Sequence, residues 1–153
     1  MSKENDRFIK EGIKRYKQAD LVYHTFRSEM QKKLQSILLN RKIWGNLKPD
    51  FKSIRSTTFK GAALNARIRA EYKGEVKIIV IIIDWQLSET DFPYFCVWLE
   101  DSKNTIISVE EIDWGDKYFY ENKTLQYRPD PETYDLKKDF NNLLDEFIKA
   151  FDN

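Results

Sequence analysis

The sequence predicts an α+β protein in which helical segments at both ends of the chain flank an antiparallel β-sheet of about five or six strands in meander order. Large apolar residues recur at helical spacing near both termini, whereas residues 51–127 show the alternation and turn signals of strands. The 153 residues contain no repeat and no Pro/Gly-rich linker. We therefore expect a single domain over residues 1–153.

The first predicted element is a long amphipathic helix over residues 8–38. Its large apolar residues follow one another at spacings of about three and four: Ile9, Ile13, Tyr16, Val22, Phe26, Met30, Leu34, Ile37 and Leu38. Asp20 has the side chain of a helix cap, which allows a break there. We favour one nearly continuous helix with its end marked by Gly45.

The middle of the chain predicts the sheet. Residues 51–59 fit a first strand, and residues 64–72 alternate strictly between apolar and polar side chains. Gly74 then suits a tight hairpin turn. The strands at 76–85 and 92–99 are apolar on both faces, so either the two helical segments cover opposite faces or a partner, such as a second copy, covers one. Residues 105–109, 117–120 and 124–127 predict shorter strands.

A second helix is predicted from Asp130-Pro131, a cap residue followed by a proline, to the end of the chain. Its apolar residues form one stripe: Leu136, Phe140, Leu143, Leu144, Phe147, Ile148 and Phe151. Such a stripe needs covering. We expect this helix to pack on the sheet.

Membrane, secreted and cofactor-dependent classes receive no support from the sequence. The longest apolar run, residues 78–83, is far shorter than the roughly 20 residues of a membrane-spanning helix. The polar N-terminus carries no secretory signal, so we expect a cytoplasmic protein without membrane contact. His24 and Cys96 are the only residues of their kinds, too few for a zinc site. We expect no cofactor.

The charges are distributed unevenly along the chain. Residues 1–73 hold 18 Lys and Arg against 7 Asp and Glu, whereas residues 74–153 hold 8 against 18. Arg67 and Arg69 lie on the charged face of one strand, a surface that could follow a phosphate backbone. Alternatively, the basic and acidic halves neutralise each other within the chain or between two copies. We favour neutralisation and keep nucleic-acid binding as the alternative.

One pattern resembles that of the PD-(D/E)XK nuclease superfamily: Pro49-Asp50 is followed by Glu71-Tyr72-Lys73. The resemblance implies that Asp50 and Glu71 hold Mg²⁺ while Lys73 steadies the attacking water. The alternative is an ordinary hairpin, because the triplet leads straight into a tight turn and a second Glu-x-Lys triplet begins at Glu75. In addition, Asp50 precedes the predicted strand.

Residues 84–121 combine ten acidic residues with two lysines and several aromatic residues. Acidic and aromatic side chains together favour a protein-binding surface, and our candidates are Trp85, Asp113, Trp114 and Asp116. The alternative is that the rings close the ends of the core. We therefore predict a non-enzymatic binding or regulatory protein that acts on another macromolecule, most simply a protein partner or a second copy. A nucleic-acid-binding protein or Mg²⁺-dependent nuclease is the alternative.

Overall fold

The computed structural model describes residues 3–59, 63–85 and 93–152. It confirms the α+β class, with an N-terminal helix, an antiparallel sheet and a C-terminal helix that packs on the sheet. The elements are α1 (Lys3–Asn40), β1 (Lys48–Phe59), β2 (Ala63–Tyr72), β3 (Glu75–Asp84), β4 (Tyr94–Glu100), β5 (Ile106–Ile107), β6 (Tyr118–Glu121), β7 (Thr124–Tyr127), α2 (Leu136–Ile148) and a final 3₁₀ turn (Lys149–Phe151).

The chain divides into two compact units, residues 1–30 and residues 31–153. The single domain of the sequence analysis stays a prediction. Within the described residues, no helix combines the length and the apolar character that crossing a bilayer requires.

Residues 3–30 form the first unit and belong to a helix that continues without a break to Asn40. The continuous helix is as expected, but it ends before Gly45. Leu34, Ile37 and Leu38 are buried within the second unit. Most apolar residues of the first unit are exposed instead, although Tyr23 and Met30 are half-buried. The most exposed are Phe8, Ile13, Tyr16, Leu21 and Val22. The expected burial of the stripe therefore holds only for the last part of the helix.

In the second unit, the strands lie in the order β1-β2-β3-β4-β7-β6, and β5 also pairs with β4. Every pairing is antiparallel. Two hairpins turn through pairs of residues with positive φ, Lys73-Gly74 and Asn122-Lys123. Such pairs match the right-handed twist of the flanking strands. Gly74 therefore has its predicted role.

The register assigns side chains to two faces of the sheet. Leu64, Ile83 and Phe95 lie side by side on one face, which we call the helical face. Arg67, Val80 and Trp98 lie side by side on the other, which we call the opposite face. In β3 and β4, residues 79–83 and 94–97 are all buried. Both faces of the central strands are covered, as their apolar sequence predicts.

Both helical segments of the second unit pack on the helical face. The ring of Phe140 in α2 stacks on Phe95 with centroids 4.3 Å apart. Gln35, in the last turns of α1, donates a hydrogen bond to Ser56 Oγ at 2.9 Å, and Ser56 pairs with Ala66 on this same face. The helical residues from 31 onwards therefore do not cover the opposite face. The sequence left open that the two helical segments cover opposite faces of the sheet, and for these residues that arrangement is wrong.

Several element boundaries differ from the predictions. The helix α2 begins at Leu136, because Asp135 accepts a hydrogen bond from the N–H of Lys138 and caps it. The predicted start at Asp130 is instead a turn. Strand β1 begins at Lys48 and not at residue 51, so Asp50 lies inside the strand. Only Ile106–Ile107 of the predicted strand 105–109 pairs with the sheet. Phe92, where a strand was predicted to begin, lies outside the described residues.

Candidate functional site

Arg67 forms an ion pair on the opposite face of the sheet. Its guanidinium contacts Glu100 Oε1, and Trp98 Nε1 donates a hydrogen bond to Glu100 Oε2 at 2.7 Å. Glu100 is 5% exposed, so a buried carboxylate has both oxygens bonded. A phosphate could recruit this arginine only by leaving Glu100 without its cation, which is costly in a buried site.

A second ion pair between the basic and the acidic half of the chain lies between the residue that follows α1 and helix α2. The guanidinium of Arg41 binds the carboxylate of Asp145 and donates hydrogen bonds to the backbone and side-chain oxygens of Asn141 at 3.1 Å. Together with the pair between Arg67 and Glu100, this contact supports internal neutralisation over a free basic surface.

Asp50, Arg69 and Glu71 line one open cleft of about 510 Å³ on the opposite face. The register explains this, because Asp50 pairs with Arg69 and Glu71 follows two residues later on the same side of β2. Arg69 keeps an exposed side chain, and Asp50 Oδ1 accepts a hydrogen bond from the N–H of Lys52 at 3.1 Å. Two of the three residues in the nuclease-like pattern therefore lie together.

Lys73 lies apart from that cleft. It occupies the hairpin turn with a φ of 51°, and its ammonium lies 5.2 Å from the ring centroid of Tyr72. It lines a different cleft, which contains Tyr72 and Phe151. Among the described residues, no group of three or more His, Cys, Asp or Glu side chains could hold a metal ion. The three residues of the nuclease-like pattern are thus divided between two clefts.

The loop at residues 113–117 is anchored by one buried ring. Trp114 is buried and stacks on Tyr120 with centroids 5.8 Å apart. Asp113 Oδ1 accepts a hydrogen bond from the N–H of Gly115, whose φ of +77° favours glycine. Trp114 therefore anchors the loop, as the alternative for these rings proposed. Trp85, another predicted site residue, directly follows β3, is half-buried and lies outside this loop.

The residues around this loop form an open cleft of about 320 Å³. Asp113 and Asp116 line one side, and Glu146 and Lys149 from the C-terminal end of the chain line the other. Glu146 Oε1 and Lys149 Nζ are 2.8 Å apart. Two of the predicted acidic residues are thus brought together with a third carboxylate that the sequence analysis did not include.

Three tyrosines lie near the carboxylates of α2 next to this cleft. The rings of Tyr118 and Tyr127 lie 5.3 Å apart on neighbouring strands, and Phe95 contacts both Tyr127 and Tyr134. Tyr134 is exposed, and the other two tyrosines are half-buried. We call the group formed by Tyr118, Tyr127, Tyr134, Asp139 and Glu146 the acidic tyrosine surface.

Burial and nearby carboxylates together raise the pKa values of the tyrosines on this surface. Partial burial first, and then the charge of Glu146 and other nearby groups, raises the pKa of Tyr118 above its ordinary value. Burial and then the charge of Asp139 likewise raise the pKa of Tyr127 and of Tyr134. Because carboxylates disfavour a tyrosinate nearby, the shared effect of Asp139 shows that these side chains occupy one electrostatic environment.

Asp139 is held in place by the start of α2. Its Oδ2 accepts a hydrogen bond from the N–H of Asp135 at 3.1 Å, while Asp135 caps the helix. This reciprocal pair resembles a capping box and fixes the carboxylate beside the rings.

Sequence reasoning missed Tyr127, Tyr134 and Asp139 as site residues. The spacing of Asp139 and Glu146, seven residues and two helical turns apart, places both carboxylates on one side of α2. That signal alone does not show which strands lie beside them, because the pairing of β7 with β4 is a long-range contact.

No protein-family model matches the chain, and no significant match arises among curated proteins or solved structures.

Proposed function

We propose that this chain is a non-enzymatic binding protein that recognises a basic segment of another protein through the acidic tyrosine surface. The observation that carries this proposal is the grouping of three tyrosines from separate parts of the chain around Asp139 and Glu146. This revises the predicted acidic aromatic surface, because Trp114 is buried whereas Tyr134 is exposed and Tyr118 and Tyr127 are half-buried.

The chemistry of the surface suits arginine and lysine side chains. A cation over a tyrosine ring gains roughly 0.5–2 kcal/mol, depending on how much water is excluded. Carboxylates beside the ring add charge-assisted hydrogen bonds to the same cation. The chain already contains such a contact elsewhere, because the guanidinium of Arg128 lies 4.6 Å from the ring centroid of Tyr94.

The shape and position of the surface also favour a partner that extends across it. The cleft of Asp113, Asp116 and Glu146 shares Tyr118 with the acidic tyrosine surface. A basic segment bound along Tyr134, Tyr127 and Tyr118 would therefore reach further carboxylates. Tyrosine is enriched where a few residues supply most of the affinity of an interface.

Binding of a synthetic arginine-rich peptide, measured by calorimetry at two salt concentrations, tests the proposal. We expect Tyr134→Ala to weaken binding by about 5–30-fold. We expect Glu146→Gln to weaken it about 2–5-fold, an effect that shrinks at higher salt. Glu121→Gln is the matched control, because Glu121 is exposed and pairs with Thr124 at the far end of the β6–β7 hairpin.

Equal losses in Glu146→Gln and Glu121→Gln would show attraction to overall charge and would contradict a defined site. An absence of binding at low salt, to an arginine-rich and also to a lysine-rich peptide, would reject the proposal.

A Mg²⁺-dependent nuclease is the second candidate, favoured by the shared cleft of Asp50 and Glu71. Two carboxylates next to Arg69 would suit a cation and a phosphate. Against it, Lys73 lies in a different cleft. We expect no cleavage of DNA or RNA by the purified protein with Mg²⁺. Cleavage that Glu71→Gln abolishes, with the fold intact by circular dichroism, would promote this candidate over the first.

A further inference from the structure

The apolar stripe of residues 3–30 is the largest feature that the proposed function does not use. Phe8, Ile13, Tyr16 and Val22 each expose about half or more of their side chains. An exposed row of this kind on a helix marks an interaction surface. The stripe has the seven-residue spacing of helix pairs, with Ile9, Tyr16, Tyr23 and Met30 in one row and Gly12, Ala19 and Phe26 in the next.

We propose that this stripe is a self-association surface, which pairs with the same stripe of a second copy in antiparallel orientation. The pairing is centred between residues 17 and 18. It places Tyr16 opposite Ala19 of the second copy and Tyr23 opposite Gly12 of the second copy. This inference is independent of the acidic tyrosine surface.

Packing supports the antiparallel orientation. In an antiparallel pair, Tyr16 and Tyr23 face Ala19 and Gly12, so the four central layers each join a large side chain to a small one, and the outer layers join Ile9 to Phe26. Large against small across facing positions keeps the distance between helix axes even. A Cβ built on Gly12 would meet no atom within 4 Å outside the helix's own backbone, so the surface there is open to receive a ring. A parallel pair would instead stack Tyr16 on its own copy and leave Gly12 against its own copy.

Charge at the borders of the stripe supports a second copy as its occupant. Arg27 and Asp6 lie on one border, and the antiparallel arrangement places Arg27 of each copy close to Asp6 of the other. A parallel pair would lose this contact but bring Arg15 close to Asp20 of the other copy, so the packing of large against small side chains selects the orientation. The self-complementarity of the surface is what a two-fold symmetric dimer requires.

The same borders argue against an anionic lipid surface as the occupant. An interfacial membrane helix places Lys and Arg next to its apolar face. Here the borders of the stripe hold three acidic residues, Asp6, Asp20 and Glu29, against Arg15 and Arg27. The lysines of the first unit lie further round the helix, so the borders carry no excess of basic residues.

Two single-cysteine variants of the full chain, Gly12→Cys and Tyr23→Cys, test the orientation. When the two are mixed and oxidised, we expect a crosslink that joins one of each, and little crosslinking of either alone. Cys96 does not compete, because it is buried and burial raises the pKa of its thiol to about 12. Crosslinks within each variant alone would show a parallel pair and overturn the proposed orientation.

Sedimentation of the full chain over a range of concentrations tests whether it associates at all. We expect a monomer–dimer equilibrium that Tyr16→Glu shifts at least tenfold towards monomer. Leu21→Glu is the matched control and should leave the equilibrium unchanged, since Leu21 is similarly exposed, 67% against 72% for Tyr16, but lies on the opposite side of the helix.

A charge exchange gives a second readout that does not depend on apolar contacts. Asp6→Arg should weaken the dimer, and adding Arg27→Asp should restore it. A chain that is monomeric at all concentrations would overturn the proposal, and so would a monomeric chain that binds vesicles of anionic phospholipid through these residues. Equal effects of Tyr16→Glu and Leu21→Glu would also overturn it.

Discussion

The two helices of this chain carry apolar stripes of similar spacing but in opposite environments. In α2, Phe140, Leu143 and Phe147 are fully buried against the sheet. In the first unit, Tyr16 and Phe8 are more than 70% exposed. The period of the stripe indicates a helix in both cases. The comparison shows that the period does not indicate whether anything within the same chain covers the stripe.

The sharpest test of this difference is to truncate one phenylalanine in each helix. We expect Phe147→Ala to lower the free energy of unfolding by roughly 3–5 kcal/mol, because it removes a fully buried ring. Phe8→Ala, measured at a concentration low enough to keep the protein monomeric, should change it by less than about 0.5 kcal/mol. Chemical denaturation measures both. Equal losses would show that the two stripes are covered alike.

A second comparison concerns two arginines on the same strand. Arg67→Gln leaves the buried carboxylate of Glu100 without its cation, and we expect a loss of about 2–3 kcal/mol. This is below the cost for a fully buried pair, because the Arg67 side chain is 24% exposed. Arg69→Gln is the control at an exposed position and should lie within about 0.5 kcal/mol of the parent. A loss in Arg69→Gln as large as that in Arg67→Gln would contradict the assigned pairing.

A third comparison concerns two aspartates with the side chain of a helix cap. Asp135 caps α2, so Asp135→Ala should cost about 1 kcal/mol. Asp20 lies within a continuous α1, where its carboxylate is 3.2 Å from His24 Nε2. We expect Asp20→Ala to cost less than about 0.5 kcal/mol in the monomer. A larger loss would indicate that α1 is broken near residue 20 and that Asp20 caps a second helix.

The smallest expected effect is a change of stability at alkaline pH. The pKa of Tyr118, Tyr127 and Tyr134 is raised in the folded chain, so the folded state holds these protons more tightly than the unfolded state. Their contribution to stability is complete below the unfolded value near 10.0 and is lost as the pH rises above it. Ultraviolet titration should show three tyrosines that ionise late. Their ionisation at the ordinary pH would contradict their partial burial beside carboxylates.

Much of the fold followed from local patterns. The alternation of residues 64–72 gave the strand and its faces, because one face is apolar and the other charged. The strands predicted at 76–85 and 92–99 from apolar residues on both faces are the central strands, and residues 79–83 and 94–97 are buried. Local patterns failed to give the start of α2, where two possible cap residues lie close together in the sequence. Asp130-Pro131 has the sequence of a helix start, yet Asp135 supplies the cap and the first residues form a turn.

The candidate site was harder to predict than the fold. Asp113 and Asp116 were identified from local composition, and they do line a cleft. Trp114 was chosen as an exposed ring, but stacking on Tyr120 buries it. Asp139 influences the pKa of Tyr127 only because β7 lies between β4 and β6 and α2 packs on the sheet beside them. A single sequence does not specify such long-range contacts.

Amide hydrogen exchange of the full chain at several protein concentrations tests most directly whether the two stripes differ as described. The buried stripe of α2 predicts slow exchange over residues 140–148 at every concentration. The exposed stripe predicts fast exchange over residues 5–30 in dilute protein and slow exchange at concentrations where copies pair. Exchange over residues 5–30 that is equally slow in dilute and in concentrated protein, or fast in both, would contradict the account.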